Sequence, residues 1–267
     1  MKVYISVDIE GVTGVVSWDQ TGPDRNDYTY ARRQMTAEAV AACQGAIDAG
    51  AGQILLKDAH NNARNIEPDA VPACVRLSRG WSGHPLFMMD DIDGSYDAAV
   101  LIGYHSRAGS GGSPLAHTMS SSRIATISIN GQTVSEAIIN TMAAGSLNVP
   151  TVFVSGDELL CQDVRSYNHA VTTVATQRGK GDSVICIQPA TAVIMIQQGV
   201  AKALKGNIAD CLTPLPPSLD LVIEFRDAKV AYARSFYPGA RLIDDRRVEF
   251  KTGECFEMLR AIAFMVL

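Results

Sequence analysis

Seven side chains between residues 8 and 136 could do chemistry together. Asp8 and Glu10 close the stretch "SVDIEG", Asp58 and His60 lie in "LLKDAHNN", and His105 lies in "LIGYHSRAG". His117 follows in "SPLAHTMS", and Glu136 stands at a helix start in "TVSEAIIN". Three of the five histidines fall in this set. Imidazole and carboxylate donors without a thiolate suit a divalent transition metal, zinc above all. Three carboxylates with two or three imidazoles exceed the needs of one tetrahedral ion with an open position. They suit two ions about 3.5–4 Å apart, bridged by one carboxylate and one water.

Taken singly, each residue has an ordinary reading. Asp8 can accept backbone bonds in a turn, Glu10 can be solvated, and His60 and His105 can be structural. Glu136 fits a first-turn carboxylate favoured by the helix dipole. What the ordinary readings leave unexplained is the joint placement of these residues just past successive strands, where open parallel sheets bind ligands. Asp58 either orients a ligating histidine or begins a turn. His84 and His169 read as surface residues. The run Gly109 to Gly112 lacks the phosphate-loop pattern and reads as a flexible loop carrying His117 over the site. "VDIEGVT" also approaches the D-x-D-G-T motif of aspartate-nucleophile phosphatases of the haloacid dehalogenase type. Glu10 replaces the second aspartate there, Thr13 is displaced by one residue, and that chemistry has no use for the three histidines.

The elements that must position these residues alternate. "VYISV", "QILLKD", "YDAAVLIGY" and "TVFVSGD" read as strands, and residues 24–49 as a helix, with Met35, Ala39, Cys43 and Ile47 on one face. Asn130-Gly131 marks a two-residue hairpin, and a helix is expected over 135–147. Apolar strands separated by helices predict a mostly parallel sheet covered on both sides. The expectation is therefore an α/β chain: a Rossmann-like three-layer α/β/α domain over 1–168, and a smaller α+β domain over 169–267. "AVTTVAT", "SVICIQ", "LVIEF" and "RRVEFKTG" supply strands of the second domain, with helices near 190–204 and in "CFEMLRAIAFMVL".

With 267 residues, 47% hydrophobic and 19% charged, the composition is globular, and the formal net charge of −5 with no basic cluster argues against a nucleic-acid partner. No apolar run approaches the length of a membrane span or of a secretory leader, so no membrane partner and a cytoplasmic location are expected. The six scattered cysteines form no C-x-x-C pair and read as free thiols of a reducing compartment.

"KVYISVDIEG", "KDAHN", "GYHSRAG", "AHTMS" and "NGQTVSE" occur in this order, and the chain thereby resembles the zinc-dependent D-aminopeptidases encoded with bacterial dipeptide permeases. The resemblance covers most of 1–160 and runs more weakly through "VICIQPA" and "LVIEF". It implies two zinc ions per subunit, with Asp8 bridging both, Glu10 and His105 completing one, and His60 and Glu136 the other. It implies His117 as the catalytic histidine, short peptides or amino acid amides as substrates, and a homo-oligomeric ring such as a decamer. Ala116 and Thr118 flank His117 where the family often has serine, and Ser135 precedes Glu136 where glycine is commoner. No ligand changes, but the substrate pocket can. A binuclear amidase for other amides and a non-catalytic metal- or peptide-binding protein are the alternative readings. Gly11 is expected to let the backbone turn away without crowding the metals.

Overall fold

The computed structural model describes residues 1–266. In chain order the elements are β1 (Lys2–Val7), α1 (Tyr28–Asp48), β2 (Gln53–Asp58), β3 (Val75–Ser78), β4 (Ala98–Tyr104), β5 (Ile124–Ile129), β6 (Gln132–Thr133) and α2 (Glu136–Ser146). Then come β7 (Thr151–Asp157), α3 (Glu158–Tyr167), β8 (Thr172–Lys180), β9 (Ser183–Cys186), α4 (Pro189–Lys205), β10 (Leu219–Phe225), α5 (Ala228–Arg234), β11 (Ala240–Leu242), β12 (Arg247–Thr252) and α6 (Cys255–Val266). No helix among the described residues is long and apolar enough to cross a membrane.

Seven strands form one sheet in the order β3-β2-β1-β4-β7-β8-β9, parallel throughout except for β9. Strands β4 and β7 are buried along their whole length, as expected of parallel strands covered on both faces. Helices α1 and α4 pack side by side against this sheet. A polar chain ties β1 and β4 to α2: Ser6 Oγ lies 2.7 Å from the Tyr104 hydroxyl, to which Asn140 Nδ2 donates at 3.0 Å. The first helix begins at Tyr28 rather than 24, because Pro23 and the Asn26-Asp27 pair hold the preceding residues in turns.

A second, antiparallel sheet has the order β11-β12-β10-β5-β6. Asn130 and Gly131 join β5 to β6 with φ of 51° and 79°, the left-handed pair that a tight hairpin requires. The single division expected at residue 168 does not coincide with the division into sheets. Strands β8 and β9 extend the first sheet, and the β5–β6 hairpin belongs to the second. The pattern of β5 explains its place: half its positions are only half-buried and its last four alternate, which suits an antiparallel sheet with one face covered rather than the fully buried parallel one.

Gly11 lies against β4. A Cβ there would lie 1.7 Å from the main-chain oxygen of Tyr104, so the loop after β1 rests directly on the end of β4. Gly11 N also donates to Gly103 O at 2.8 Å. The Gly11→Ala variant should therefore lose at least about 3 kcal/mol of stability in urea unfolding, since the clash is with backbone that cannot rotate away. A loss below about 1 kcal/mol would contradict this packing.

Candidate metal centre

The centre lies past the carboxyl ends of three neighbouring strands. Strand β1 pairs with β2 on one side and β4 on the other, with Val7 opposite both Asp58 and Ile102. Asp8 and Glu10 follow β1, His60 follows β2 and His105 follows β4. Glu136 enters from the first turn of α2, whose N-terminus is capped by Ser135 Oγ accepting from Ile138 N. Asp8, Glu10, His60, His105 and Glu136 are all buried, and His117 joins them from the loop before β5.

Asp8 is at the middle. Its Oδ1 lies 3.1 Å from His60 Nδ1, and its Oδ2 lies 3.5 Å from His105 Nε2. Glu10 Oε2 is also 3.1 Å from His60 Nδ1, and Glu136 Oε2 is 3.5 Å from His105 Nε2. Asp8, Glu10 and His60 thus form one compact group of donor atoms, and His105, His117 and Glu136 a second. The two oxygens of Asp8 face one group each. This differs from the pairing implied by the family resemblance: Glu10 stands with His60, and His105 with Glu136. The reason is directional. The His60 ring turns its Nδ1 toward the β1 loop, whereas His105 Nε2 points between Asp8 and the start of α2.

The chemistry of the donor set fits cations. His60 Nε2–H donates to Thr21 O at 2.6 Å, and His105 Nδ1–H donates to Ser106 O at 3.0 Å. A neutral ring in either place would aim a lone pair at carboxylate oxygens, acceptor against acceptor; without a bound cation, a second proton on each ring takes that position. Asp8 Oδ2, Glu10 Oε2 and His105 Nε2 are buried without a hydrogen-bond partner, a costly arrangement unless a cation supplies the missing positive charge. Among the described residues, the cationic groups paired with these three carboxylates are histidines alone.

Proton affinities record the same strain. Burial, and then the neighbouring Glu10 charge, push Asp8 up to about 8. Burial opposes the charged imidazolium of His105, but Glu136 and Asp8 outweigh it and lift that ring to about 10. Burial would raise Glu10, yet His60 beside it holds the carboxyl well below its usual range. His117 moves the other way: burial, then repulsion from His105, lowers it.

His117 lies with its ring stacked on that of His105, centroids 4.2 Å apart, and edge-on to Trp18 at 5.3 Å. Its Nδ1–H donates to Leu115 O at 2.9 Å, leaving Nε2 3.6 Å from Glu136 Oε1. The loop that carries it is pinned rather than free. Thr118 Oγ1 donates to Val134 O, Met119 N donates to Glu136 Oε1, and Gly179 N donates to Gly112 O.

Asp58 does not touch the His60 ring. It accepts from Asn65 N, Ile66 N and Asn65 Nδ2, and Asn65 Nδ2 also donates to His60 O, so Asp58 fixes the loop that presents His60. His84 and His169 are exposed. Sequence reasoning missed Asp157. It is buried at the end of β7, where it accepts from Ser106 N and Ser106 Oγ and caps α3 through Leu160 N. Ser106 O in turn receives the His105 Nδ1 proton, so Asp157 sets that ring's orientation. The strand-end rule that singles out Asp8 and Asp58 also points at Asp157, the last residue of "TVFVSGD". A cavity of about 490 Å³ opens on the centre, lined by Trp18, Trp81, Phe87, Met88 and Met119 beside the donor residues.

Residues 1–264 match a family model described as D-aminopeptidase, peptidase family M55. The chain is 28% identical over 269 residues to a D-aminopeptidase of Bacillus subtilis (strain 168), covering 99% of this chain and 96% of that one. The fold matches a solved structure of the Zn-dependent D-aminopeptidase DppA from Bacillus subtilis, a self-compartmentalizing protease. That match has a TM-score of 0.92 at 28% identity, over 99% of this chain and 96% of the other.

Proposed function

The chain belongs to the D-aminopeptidase family of peptidases (M55), and from that premise we propose that it is a binuclear zinc aminopeptidase. It releases amino-terminal residues, D-amino acids, from short peptides or amino acid amides. The observation that carries the two-metal reading is Asp8, whose two oxygens face separate donor groups, with Asp8 Oδ2 and His105 Nε2 buried without a hydrogen-bond partner. In this reading Asp8, Glu10 and His60 hold one ion, and Asp8, His105 and Glu136 the other. Zinc is supported by the imidazole–carboxylate donor set and by the zinc dependence of the similar B. subtilis enzyme.

Zinc bound there supplies a water-derived nucleophile near neutral pH and Lewis acidity toward the scissile carbonyl. The protein's own groups do the rest. Thr21 O and Ser106 O hold His60 and His105 in the tautomers that present a lone pair to the centre. His117, with Nδ1–H committed to Leu115 O, keeps Nε2 free to accept a proton and pass it to the leaving amine.

Assembly into a homo-oligomer, in the form of a ring, is supported by the self-compartmentalizing relative. The aromatic side chains of Tyr232, Phe236 and Phe264, strongly exposed in the single chain, also support it. A cytoplasmic location is supported by the six cysteines, all free.

The test is a panel of D- and L-amino acid amides and dipeptides, offered to protein reloaded with zinc and then stripped by chelator. Hydrolysis of the D-series at least about tenfold above the L-series, lost on stripping and restored by zinc, is expected. Preference for the L-series would overturn the stereochemical assignment and favour a different amidase. No turnover of any amide would overturn the aminopeptidase reading.

A further inference from the structure

We infer that the cavity beside the metal centre is a specificity subsite for a bulky apolar side chain, aromatic above all, on the substrate's amino-terminal residue, framed by Trp18 and Trp81. This rests on the aminopeptidase reading. The chain has two tryptophans, and both open on this one cavity while remaining 40% and 43% exposed. Neither ring is loose. Trp81 Nε1 donates to Asn61 O at 2.6 Å, and its ring lies 5.0 Å from the buried Lys57 ammonium, which donates to Gly80 O. Trp18 is held edge-on against His117. Large aromatic faces that are fixed in place yet left uncovered are what a side-chain pocket needs.

Two other lining residues carry stored strain. Phe87 and Met119 adopt left-handed backbone with φ of 49° and 64°, a conformation that bulky side chains rarely take. Both line the cavity, which is where such strain persists when the position of a side chain matters. The chemistry of the lining selects against charge. Among the described residues no lysine or arginine lines the cavity, and its ionisable groups belong to the centre itself. A charged substrate side chain would therefore be desolvated without a partner. A methyl side chain would leave the indole faces of Trp18 and Trp81 uncovered.

The experiment has two arms. With zinc-loaded enzyme, kcat/KM for D-phenylalaninamide should exceed that for D-alaninamide by at least about tenfold, and D-lysinamide should be the poorest of the three. Trp81→Ala should reduce the phenylalanine-to-alanine ratio about tenfold, while Trp81→Phe, which keeps a ring but no indole N–H, should retain most of it. A ratio near one in the wild type, or one unchanged in Trp81→Ala, overturns the subsite while leaving the aminopeptidase reading intact. The second arm needs no catalysis. Trp18→Phe leaves Trp81 as the sole tryptophan, and D-phenylalaninol, which has no amide to cleave, should perturb its emission saturably. The half-maximal concentration should lie at least about tenfold below that for D-alaninol. Equal responses, or none, overturn the proposal even if no amide is hydrolysed.

Discussion

His117→Ala should lower kcat on an amino acid amide by about 10³-fold, within the range that a positioned acid–base group contributes, and leave zinc content intact. Asp8, Glu10, His60, His105 and Glu136 are the proposed zinc ligands; His117 lies within the group of His105 and Glu136, with Nε2 3.6 Å from Glu136 Oε1, but is not needed to complete either ion. Its Nδ1–H is spent on Leu115 O, so its one free position is the one that faces the centre. The fold should survive the change, because Thr118, Met119 and Gly112 anchor the loop independently. Kinetics and elemental analysis of the same preparation decide the matter. Zinc lost along with activity would make His117 a ligand, and activity retained would remove it from the mechanism.

Asp8→Asn should be the most damaging substitution in the centre. It weakens both donor groups at once, whereas Glu10→Gln or Glu136→Gln touches one. The loss of activity should reach at least about 10³-fold, equivalent to about 4 kcal/mol of transition-state stabilisation. The metal-free proteins should show the opposite ranking in stability. In the folded apoprotein Asp8 is raised from 3.8 to about 8. Between those values the folded state keeps a proton that the unfolded chain has released. The contribution of Asp8 to apoprotein stability therefore falls as pH rises through that window. Unfolding curves at pH 5 and pH 8, with chelator present, should show a smaller loss for Asp8→Asn than for the wild type. An equal loss would mean that Asp8 is not the strained carboxylate.

Much of the centre was legible in the sequence because of one rule: polar residues just past apolar strands meet at the carboxyl edge of a parallel sheet. Asp8, Glu10, His60 and His105 follow from it directly, and Glu136 from its place at a helix start. The sharing of these residues between two groups was not legible. It depends on which ring nitrogen each histidine turns inward, and that is set by Thr21 O and Ser106 O, main-chain atoms with no sequence signature. Asp157 was within reach of the same rule. Trp81 was not, since a tryptophan in an irregular loop carries no periodicity. The hairpin at Asn130-Gly131 was plain from its dipeptide, but its membership of the second sheet depended on the alternating pattern of "IATISI". Gly11 was marked as special, but its close approach to the β4 backbone was not legible, since it depends on how the loop after β1 lies across that strand.

Without metal, the two opening carboxylates of "SVDIEG" are accommodated by protons on Asp8 and on the facing histidines; bound cations would take the place of those protons. Stripping the protein of metal, reloading it with zinc, removing the excess and counting ions per chain by elemental analysis tests this most directly. Two zinc ions per wild-type chain, falling below one in Asp8→Asn, is the expected result. One ion or fewer in the fully reloaded wild type would contradict the two-metal centre.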